Sequence, residues 1–187
     1  MKGIIFRAFI DHVEDRYGLA VADAMISGSD LGNQGAYTSV GTYDPAELIK
    51  MIGCLSQQVG TDVAGILKEF GTGLFQGLVD AYPKLVVQHA DSFSLIEAIE
   101  TNIHVEVRKL YPDAELPSFS HQLVEPDRMI LIYSSSRGLA DFAEGLLRGC
   151  FDYFGDTIDL QREDLSAGKN TKVRFDLKHR RIDDGRA

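Results

Sequence analysis

Apolar residues recur at helical spacing through most of the N-terminal half of the chain. Residues 2–17 follow this spacing, and Gly18 stands where a helix-ending glycine is common. Asp44 and Pro45 carry the start signals of another helix, whose apolar positions continue until Gly60. The pattern therefore predicts an amphipathic helix at each of these two places.

The next stretch predicts two shorter helices. Thr61 opens the first helix, which carries Phe70 and ends at Gly71. The second begins at Leu74 and continues as far as Pro83, because proline lacks the backbone N–H that an inner helical turn needs.

A further helix is predicted from Ser94 to about residue 110, and His104 lies on the edge of its apolar stripe. A neutral imidazole is a common metal ligand, and apolar surroundings would suit a buried macrocycle. A hydrogen-bonded histidine at the edge of the core is the more frequent case. This helix alone leaves both interpretations open.

After Pro117 the pattern changes to short apolar runs. Residues 129–133 are apolar and partly β-branched, which indicates a buried strand, and residues 139–154 return to helical spacing. Residues 157–160 and 173–177 alternate as exposed and buried strand positions do. We therefore predict an α+β fold, with a helical N-terminal subdomain followed by a C-terminal antiparallel sheet and its helices.

Length and charge limit the kinds of protein to consider. The chain has 187 residues, of which 44% are hydrophobic, so it can form one domain with a sizeable core. We expect an N-terminal helical lobe over about 1–65 and a second lobe over about 66–187. A net charge of −9 and a pI near 5.0 argue against binding to nucleic acid or an anionic membrane. The basic residues 178–181 are expected to form a solvated tail.

The sequence favours a cytoplasmic protein that does not insert into a membrane. Asp11, Glu14 and Asp15 interrupt the apolar positions that a signal peptide would need. No apolar run approaches the length of a membrane-spanning helix. Cys54 and Cys150 each lie in an apolar helical pattern, which is typical of packed thiols in a reducing compartment.

Residues 133–137 run from the predicted strand into the predicted start of a helix. Tyr133, Ser135 and Arg137 combine hydroxyl groups with a guanidinium, and a helix start adds unpaired N–H groups, so the segment suits a carboxylate or phosphate. A serine-rich cap beside a solvated arginine is the alternative. No hydrolase serine motif, phosphate-binding loop or dinucleotide fingerprint is present, so we do not expect an enzyme.

These features resemble the H-NOX (haem nitric oxide/oxygen binding) family in their order and spacing. The resemblance rests on Met1-Lys2-Gly3 before a helix, His104 followed by Leu110-Tyr111-Pro112 and Pro117, and Tyr133-x-Ser135-x-Arg137. It spans nearly the whole chain, and the Tyr-x-Ser-x-Arg element is its most specific part. The family occurs as stand-alone bacterial proteins and as the sensor region of animal soluble guanylate cyclase.

The resemblance implies a non-covalent haem b, cradled by the second lobe, with His104 as the protein ligand to the iron. The haem propionates would be held by Tyr133, Ser135 and Arg137. This role agrees with the anion site inferred above from the same segment. Pro117 would press on the porphyrin and distort it, and Ile5 would touch it from the N-terminal helix.

Oxygen-binding members of the family place a tyrosine in the distal pocket as a hydrogen-bond donor. Ungapped counting from Arg137 puts Phe142 at that position, and the neighbouring distal positions are Phe9, Leu74 and Leu146. None of these four side chains can donate a hydrogen bond. Bound O₂ gains from a donor, whereas NO and CO depend on one much less. The resemblance therefore implies a sensor of NO, also able to bind CO, that excludes oxygen.

In the mechanism that the resemblance implies, NO bound opposite His104 weakens or breaks the iron–histidine bond. The helix around residues 94–111 and the N-terminal lobe then shift, which regulates a separate partner in trans. The family suggests a histidine kinase or a cyclic-di-GMP enzyme as that partner. The alternatives are an oxygen-binding haem protein, a haem-free binding domain, and a redox sensor acting through Cys54 or Cys150.

Overall fold

The computed structural model describes residues 1–180, in which a helical part precedes an antiparallel sheet. The first four helices, α1 to α4, are Gly3–Tyr17, Leu19–Gly28, Pro45–Val59 and Val63–Ala81, followed by a 3-10 turn at Pro83–Leu85. Helices α5, α6 and α7 are Ser92–Glu97, His104–Leu110 and Ala140–Phe154, with a π-helical turn at Ile99–Ile103 between α5 and α6. Strands β1 to β4 are Ser118–Glu125, Arg128–Ser134, Ile158–Asp164 and Lys172–His179. Within these residues, no helix has the length and apolar character needed to cross a membrane.

Three helices end at glycine, as the sequence predicts for α1, α3 and α7. α3 begins after Asp44, whose side chain accepts a hydrogen bond from the N–H of Ala46 at 2.9 Å, and it ends at Gly60 with φ of 72°. α1 ends at Gly18 with φ of 89°, and α7 ends at Gly155 with φ of 70°. Glycine adopts such positive φ values without the steric cost that other residues bear.

α4 is one continuous helix, so the prediction of two helices separated at Gly71 is wrong. Asp62 caps its start by accepting a hydrogen bond from the N–H of Gly65 at 2.7 Å. Gly71 lies inside the helix against α7, where a Cβ atom would stand 2.4 Å from the carbonyl oxygen of Phe142. Close packing of two helices, and not a helix end, accounts for this glycine.

The prediction of one continuous helix starting at Ser94 is also wrong, because the chain forms three short helical pieces there. α5 starts earlier, at Ser92, and Asp91 caps it by accepting a hydrogen bond from the N–H of Ser94 at 2.8 Å. The π-helical turn Ile99–Ile103 then leads into α6, whose first residue is His104. Turns of this kind are frequent at functional sites.

Two elements, α2 and β1, have no counterpart in the sequence prediction. α2 is short, and its buried side chains are Ala22 and Met25. β1 is exposed along nearly its whole length, so it lacks the alternation of apolar and polar residues that marks a half-buried strand. It lies at the edge of the sheet and pairs with β2.

The strands form one antiparallel sheet in the order β1-β2-β4-β3, as expected for the C-terminal part. One face packs against α7, and its buried side chains are Met129, Leu131, Tyr133, Val173, Phe175 and Leu177. The opposite face carries Ile130 and Ile132 together with charged side chains. Arg128 donates two hydrogen bonds to the Asp176 carboxylate there, from Nε at 2.9 Å and from an Nη atom at 2.7 Å.

The basic residues near the C-terminus are not a solvated tail from residue 178 onwards, in contrast to the prediction. Lys178 and His179 belong to β4. The Nε of Arg180 donates a hydrogen bond to the carboxylate of Asp159 at 2.6 Å. Arg181 lies outside the described residues.

The N-terminal core extends past the predicted lobe boundary at residue 65. It contains Phe6, Phe9 and Met51 from the earlier helices, and it also contains Ile66 and Phe70 from α4. α4 therefore has one face in the N-terminal core, while its Gly71 contacts α7.

A cluster of charged side chains ties α4 and α7 to β3. Glu144 on α7 is 3% exposed and pairs with Lys68 at 3.1 Å and with Arg148 at 2.8 Å. Arg162 on β3 donates to both Glu144 and the neighbouring Asp141. Burial alone would raise the pKa of the Glu144 carboxyl, but the hydrogen bonds from Arg148 and Lys68 outweigh burial and lower it. The Glu144 carboxylate is therefore stabilised in its ionised form.

Candidate functional site

His104 is a buried histidine with one ring nitrogen engaged. It is 8% exposed, and its Nδ1 donates a hydrogen bond to Oε1 of Glu100 at 3.1 Å. Among residues 1–180, Nε2 of His104 has no hydrogen-bond partner. Burial lowers the pKa of His104, and Glu100 opposes that effect only in part. The side chain is thus a neutral imidazole with a free lone pair, which is the form that binds a metal.

Glu100 connects this histidine to the sheet, and the sequence prediction missed it. Its Oε1 also accepts a hydrogen bond from the backbone N–H of Phe119 at 2.8 Å. The available signal was a carboxylate four residues before a candidate ligand, because side chains at that spacing on a helix are neighbours. Glu100 lies in the π-helical turn, and Phe119 lies in β1.

Phe119 also joins the histidine to the predicted anion site. Its ring centroid lies 5.9 Å from that of His104 and 5.6 Å from that of Tyr133. In the sheet, Phe119 is the residue of β1 directly opposite Tyr133. Pro117, two positions earlier, is half-buried. The structure therefore brings His104 and Tyr133 into one region through a residue that the sequence analysis did not single out.

The segment after Tyr133 forms a turn, so the predicted helix cap there is wrong. α7 begins only at Ala140, and its cap residue Leu139 makes no side-chain capping hydrogen bond. Gly138 has φ of 64°, and a Cβ atom on it would stand 2.6 Å from the carbonyl oxygen of Lys169. The start of α7 is therefore too far along the chain to bind an anion at the serines of residues 134–136. An anion there would be bound by side chains and by N–H groups of the turn.

Arg137 binds a carboxylate in this structure. One of its Nη atoms donates to the backbone oxygen of Glu115 at 2.6 Å and the other to a carboxylate oxygen of Glu115 at 2.8 Å. The backbone N–H of Arg137 donates a hydrogen bond to Oγ of Ser135 at 3.2 Å.

Tyr133 completes the anion site as a neutral hydrogen-bond donor. It is 2% exposed, and burial raises the pKa of its phenol although Ser135 and Arg137 oppose that effect. Tyr133, Ser135 and Arg137 therefore come together, as the sequence analysis expects of a carboxylate-binding group. Their chemistry fits a propionate, because the guanidinium already holds the Glu115 carboxylate, whose side chain is 81% exposed and can be displaced into solvent.

The predicted distal residues gather on the N-terminal core. Ile5, Phe9, Leu74 and Phe142 all pack on that cluster, whereas Leu146 is half-buried one helical turn after Phe142. Phe70 lies between two of them, with ring centroids 5.1 Å from Phe9 and 5.1 Å from Phe142. Phe70 was not predicted as a site residue, because its spacing marks it only as an apolar helix position.

These groups fit a haem on chemical grounds. A neutral histidine with a free Nε2 offers one axial ligand, a cluster of donors offers a place for carboxylates, and an aromatic wall offers apolar contact. They come from α1, α4, α6, α7 and the sheet, which are the elements that a bound macrocycle would have to contact together.

The two cysteines lie in different surroundings. Cys150 is buried, and burial raises the pKa of its thiol. Cys54 is only half-buried, so the prediction that both thiols are buried is wrong for it. It accepts a hydrogen bond from Gln58 at 3.3 Å. No disulfide joins them.

Comparison with known proteins agrees with this combination of a helical part and an antiparallel sheet. A family described as Haem-NO-binding matches residues 2–162, so the chain belongs to the Haem-NO-binding, or H-NOX, family. Domains of this family bind haem and gases such as NO, CO and O₂, and they are sensors rather than catalysts. A search of curated protein sequences gave no match.

Solved structures of bacterial H-NOX proteins have the same fold. The Fe(II) unliganded H-NOX protein from K. algicida is 36% identical with a TM-score of 0.90, over 97% of each chain. An H-NOX protein from S. oneidensis in the Fe(II)NO ligation state is 29% identical with a TM-score of 0.88, over 97% of this chain and 100% of that chain. The IWP-051-bound H-NOX from Shewanella woodyi in the Fe(II)CO state is 36% identical with a TM-score of 0.82, over 100% of this chain and 97% of that chain.

Proposed function

We propose that this protein is a nitric oxide sensor that binds haem b non-covalently, with His104 as the ligand to the iron. The single observation that carries the proposal is the buried, neutral His104, whose Nδ1 is held by Glu100 and whose Nε2 has no partner among residues 1–180. A metal would take the lone pair of Nε2, while the hydrogen bond from Nδ1 to Glu100 holds the ring in place.

Tyr133, Ser135 and Arg137 hold the haem propionates in this proposal. Arg137 already binds a carboxylate. Pro117 and Ile5 contact the porphyrin, Pro117 from the segment that leads into β1 and Ile5 from α1.

The choice of gas follows from the distal side chains Phe9, Leu74, Phe142 and Leu146. All four are hydrocarbon, and the ring of Phe142 stacks on Phe70 with an angle of 27° between planes. No side chain in this set can donate a hydrogen bond to bound O₂. The protein therefore takes up NO and CO in preference to O₂.

The bound haem supplies the ferrous iron that takes up the gas. Loss of the bond between His104 and iron would release α6 and the π-helical turn that carries Glu100. In this proposal Ile5 and Phe9 would contact the same haem, so α1 and the N-terminal core would move relative to the sheet. A separate signalling partner, a histidine kinase or a cyclic-di-GMP enzyme, reads the two states through its differential affinity for them.

The test is absorption spectroscopy of the ferrous protein, first under argon and then with NO, for wild type and His104→Gly. Wild type should show a haem Soret band, and the substitution should change the spectrum of the unliganded ferrous state. His121→Gly is the matched control, because His121 is exposed on β1, and its spectrum should equal that of wild type. Absence of haem from the wild type, or an unchanged spectrum in His104→Gly, contradicts the proposal.

The choice of gas has its own test in Phe142→Tyr. A donor at this position should give a ferrous protein that forms a stable oxygen complex in air, whereas wild type should not. Phe154→Tyr is the control, because Phe154 lies on the same helix but packs in a different apolar cluster, near Cys150. Wild type that is stable as an oxygen complex would refute the selectivity argument while leaving haem binding intact.

A further inference from the structure

We propose that Glu100 is a positioning residue for the proximal histidine: it fixes the ring of His104, strengthens its bond to iron, and connects that bond to strand β1. This inference rests on the proposed role of His104 as the iron ligand.

The contact geometry is specific. One carboxylate oxygen, Oε1 of Glu100, accepts from Nδ1 of His104 at 3.1 Å and from the backbone N–H of Phe119 at 2.8 Å. The Glu100 side chain is 34% exposed and the His104 side chain 10%, so the pair is largely shielded from water. The π-helical turn Ile99–Ile103 sets this arrangement, because it carries Glu100 and ends immediately before His104.

An acceptor on Nδ1 determines what Nε2 can do. A carboxylate on Nδ1 holds the proton on that nitrogen and leaves the lone pair of Nε2 free for a metal. It also pulls the Nδ1 proton toward itself, which makes the imidazole a stronger electron donor than a neutral acceptor would. Glu100 therefore increases the free energy that is needed to break the bond between His104 and iron.

The second hydrogen bond gives Glu100 a mechanical role as well. Its partner Phe119 lies in β1, two residues after Pro117, so the histidine and the start of the edge strand share one anchor. A movement of His104 away from the haem pulls on Oε1 and so weakens the Phe119 contact. β1 is exposed along most of its length, so this change reaches a surface that a partner can contact.

The experiment compares wild type with Glu100→Gln and Glu100→Ala by resonance Raman spectroscopy of the ferrous unliganded state. Both substitutions should shift the iron–histidine stretch to lower frequency, and the Ala variant should shift it at least as far as the Gln variant. Glu106→Gln is the matched control, because Glu106 is on α6 and pairs with Lys109 at 2.6 Å, away from the histidine. Its stretch should equal that of wild type.

A second readout does not depend on haem. Hydrogen exchange at the Phe119 amide, measured by NMR in the haem-free chain, should be about ten-fold faster or more in Glu100→Ala, because a hydrogen bond to a charged acceptor is lost. An iron–histidine stretch at the wild-type frequency in both Glu100 variants overturns the inference, even if exchange at Phe119 rises. Wild type with no iron–histidine stretch at all would instead refute the proposed function.

Discussion

Gly71 is the position where the structure makes its sharpest stability prediction. A Cβ atom there would stand 2.4 Å from the carbonyl oxygen of Phe142, 2.9 Å from the N of Leu146 and 3.0 Å from Cα of Gly145. All three atoms are backbone atoms of α7, so no side-chain rotation can relieve the contact. In Gly71→Ala, α4 and α7 must therefore separate.

The size of the effect follows from two opposing terms. To bring the contact with the Phe142 oxygen to ordinary van der Waals distance, the helices must part by about 1 Å, and overpacking of this kind costs about 1–3 kcal/mol. Alanine in a helix interior is favoured over glycine by about 1 kcal/mol. Gly71→Ala should therefore destabilise the fold by about 0–2 kcal/mol. Gly77→Ala on the same helix has no atom within 4 Å of its Cβ, so it should gain about 0.5–1 kcal/mol.

The assay is urea unfolding of both variants and wild type, followed by circular dichroism in the same state of haem loading. We expect the free energy of unfolding to be about 1–3 kcal/mol lower for Gly71→Ala than for Gly77→Ala. The change in helix propensity from glycine to alanine is the same in both variants, so it cancels in this difference. Because Phe142 and Leu146 sit on the displaced helix, the C–O stretch of the CO complex should also shift in Gly71→Ala. If the two variants are equally stable, the close approach of α4 and α7 does not exist in solution.

Three further predictions concern other parts of the fold. Asp62→Ala should lower the free energy of unfolding by about 1 kcal/mol in urea titrations, because the N–H of Gly65 loses its capping acceptor. The pKa of the Glu144 carboxyl is lowered in the folded state, so its carboxylate contributes to the free energy of unfolding above the ordinary pKa of 4.5. This contribution is lost as the pH falls through the lower pKa of the folded state. In Glu144→Gln, the free energy of unfolding should therefore fall less steeply between pH 6 and about pH 3. Thiol reagents followed by mass spectrometry should label half-buried Cys54 well before Cys150, whose pKa burial raises, and equal rates would contradict that assignment.

Local signals in the sequence predicted the elements that depend on local chemistry. Asp44 and Gly60 bound α3 because a carboxylate cap and a positive-φ glycine act within a few residues. Gly71 shows the limit of that reasoning, since a glycine required by a neighbouring helix has the same letter as a glycine that ends one. The exposed strand β1 was missed for a related reason: its pairing with β2 comes from tertiary hydrogen bonds, and its side chains carry no buried face.

Some residues of the candidate site could likewise be predicted from local sequence, and others could not. His104 and Arg137 could be found because their residue types are rare in an apolar pattern and at a strand end. Glu100 and Phe119 could not, because their role comes from a hydrogen bond between two segments that are distant in the chain. The place of Phe70 could not be predicted either, because its contacts with Phe9 and Phe142 join side chains of three different helices.

The arrangement of Phe142 makes the test of gas selectivity easier to interpret. Its backbone oxygen lies against Gly71, so α4 fixes the position of its Cα, and its ring stacks on Phe70 at 5.1 Å. Tyrosine at this position therefore adds a hydroxyl group to a ring whose position Gly71 and Phe70 already fix. A change in oxygen binding in Phe142→Tyr can then be assigned to the new donor. In the double variant with Gly71→Ala, where the helix has moved, the same hydroxyl should stabilise bound oxygen less, because a hydrogen bond weakens steeply as its distance and angle depart from their optimum.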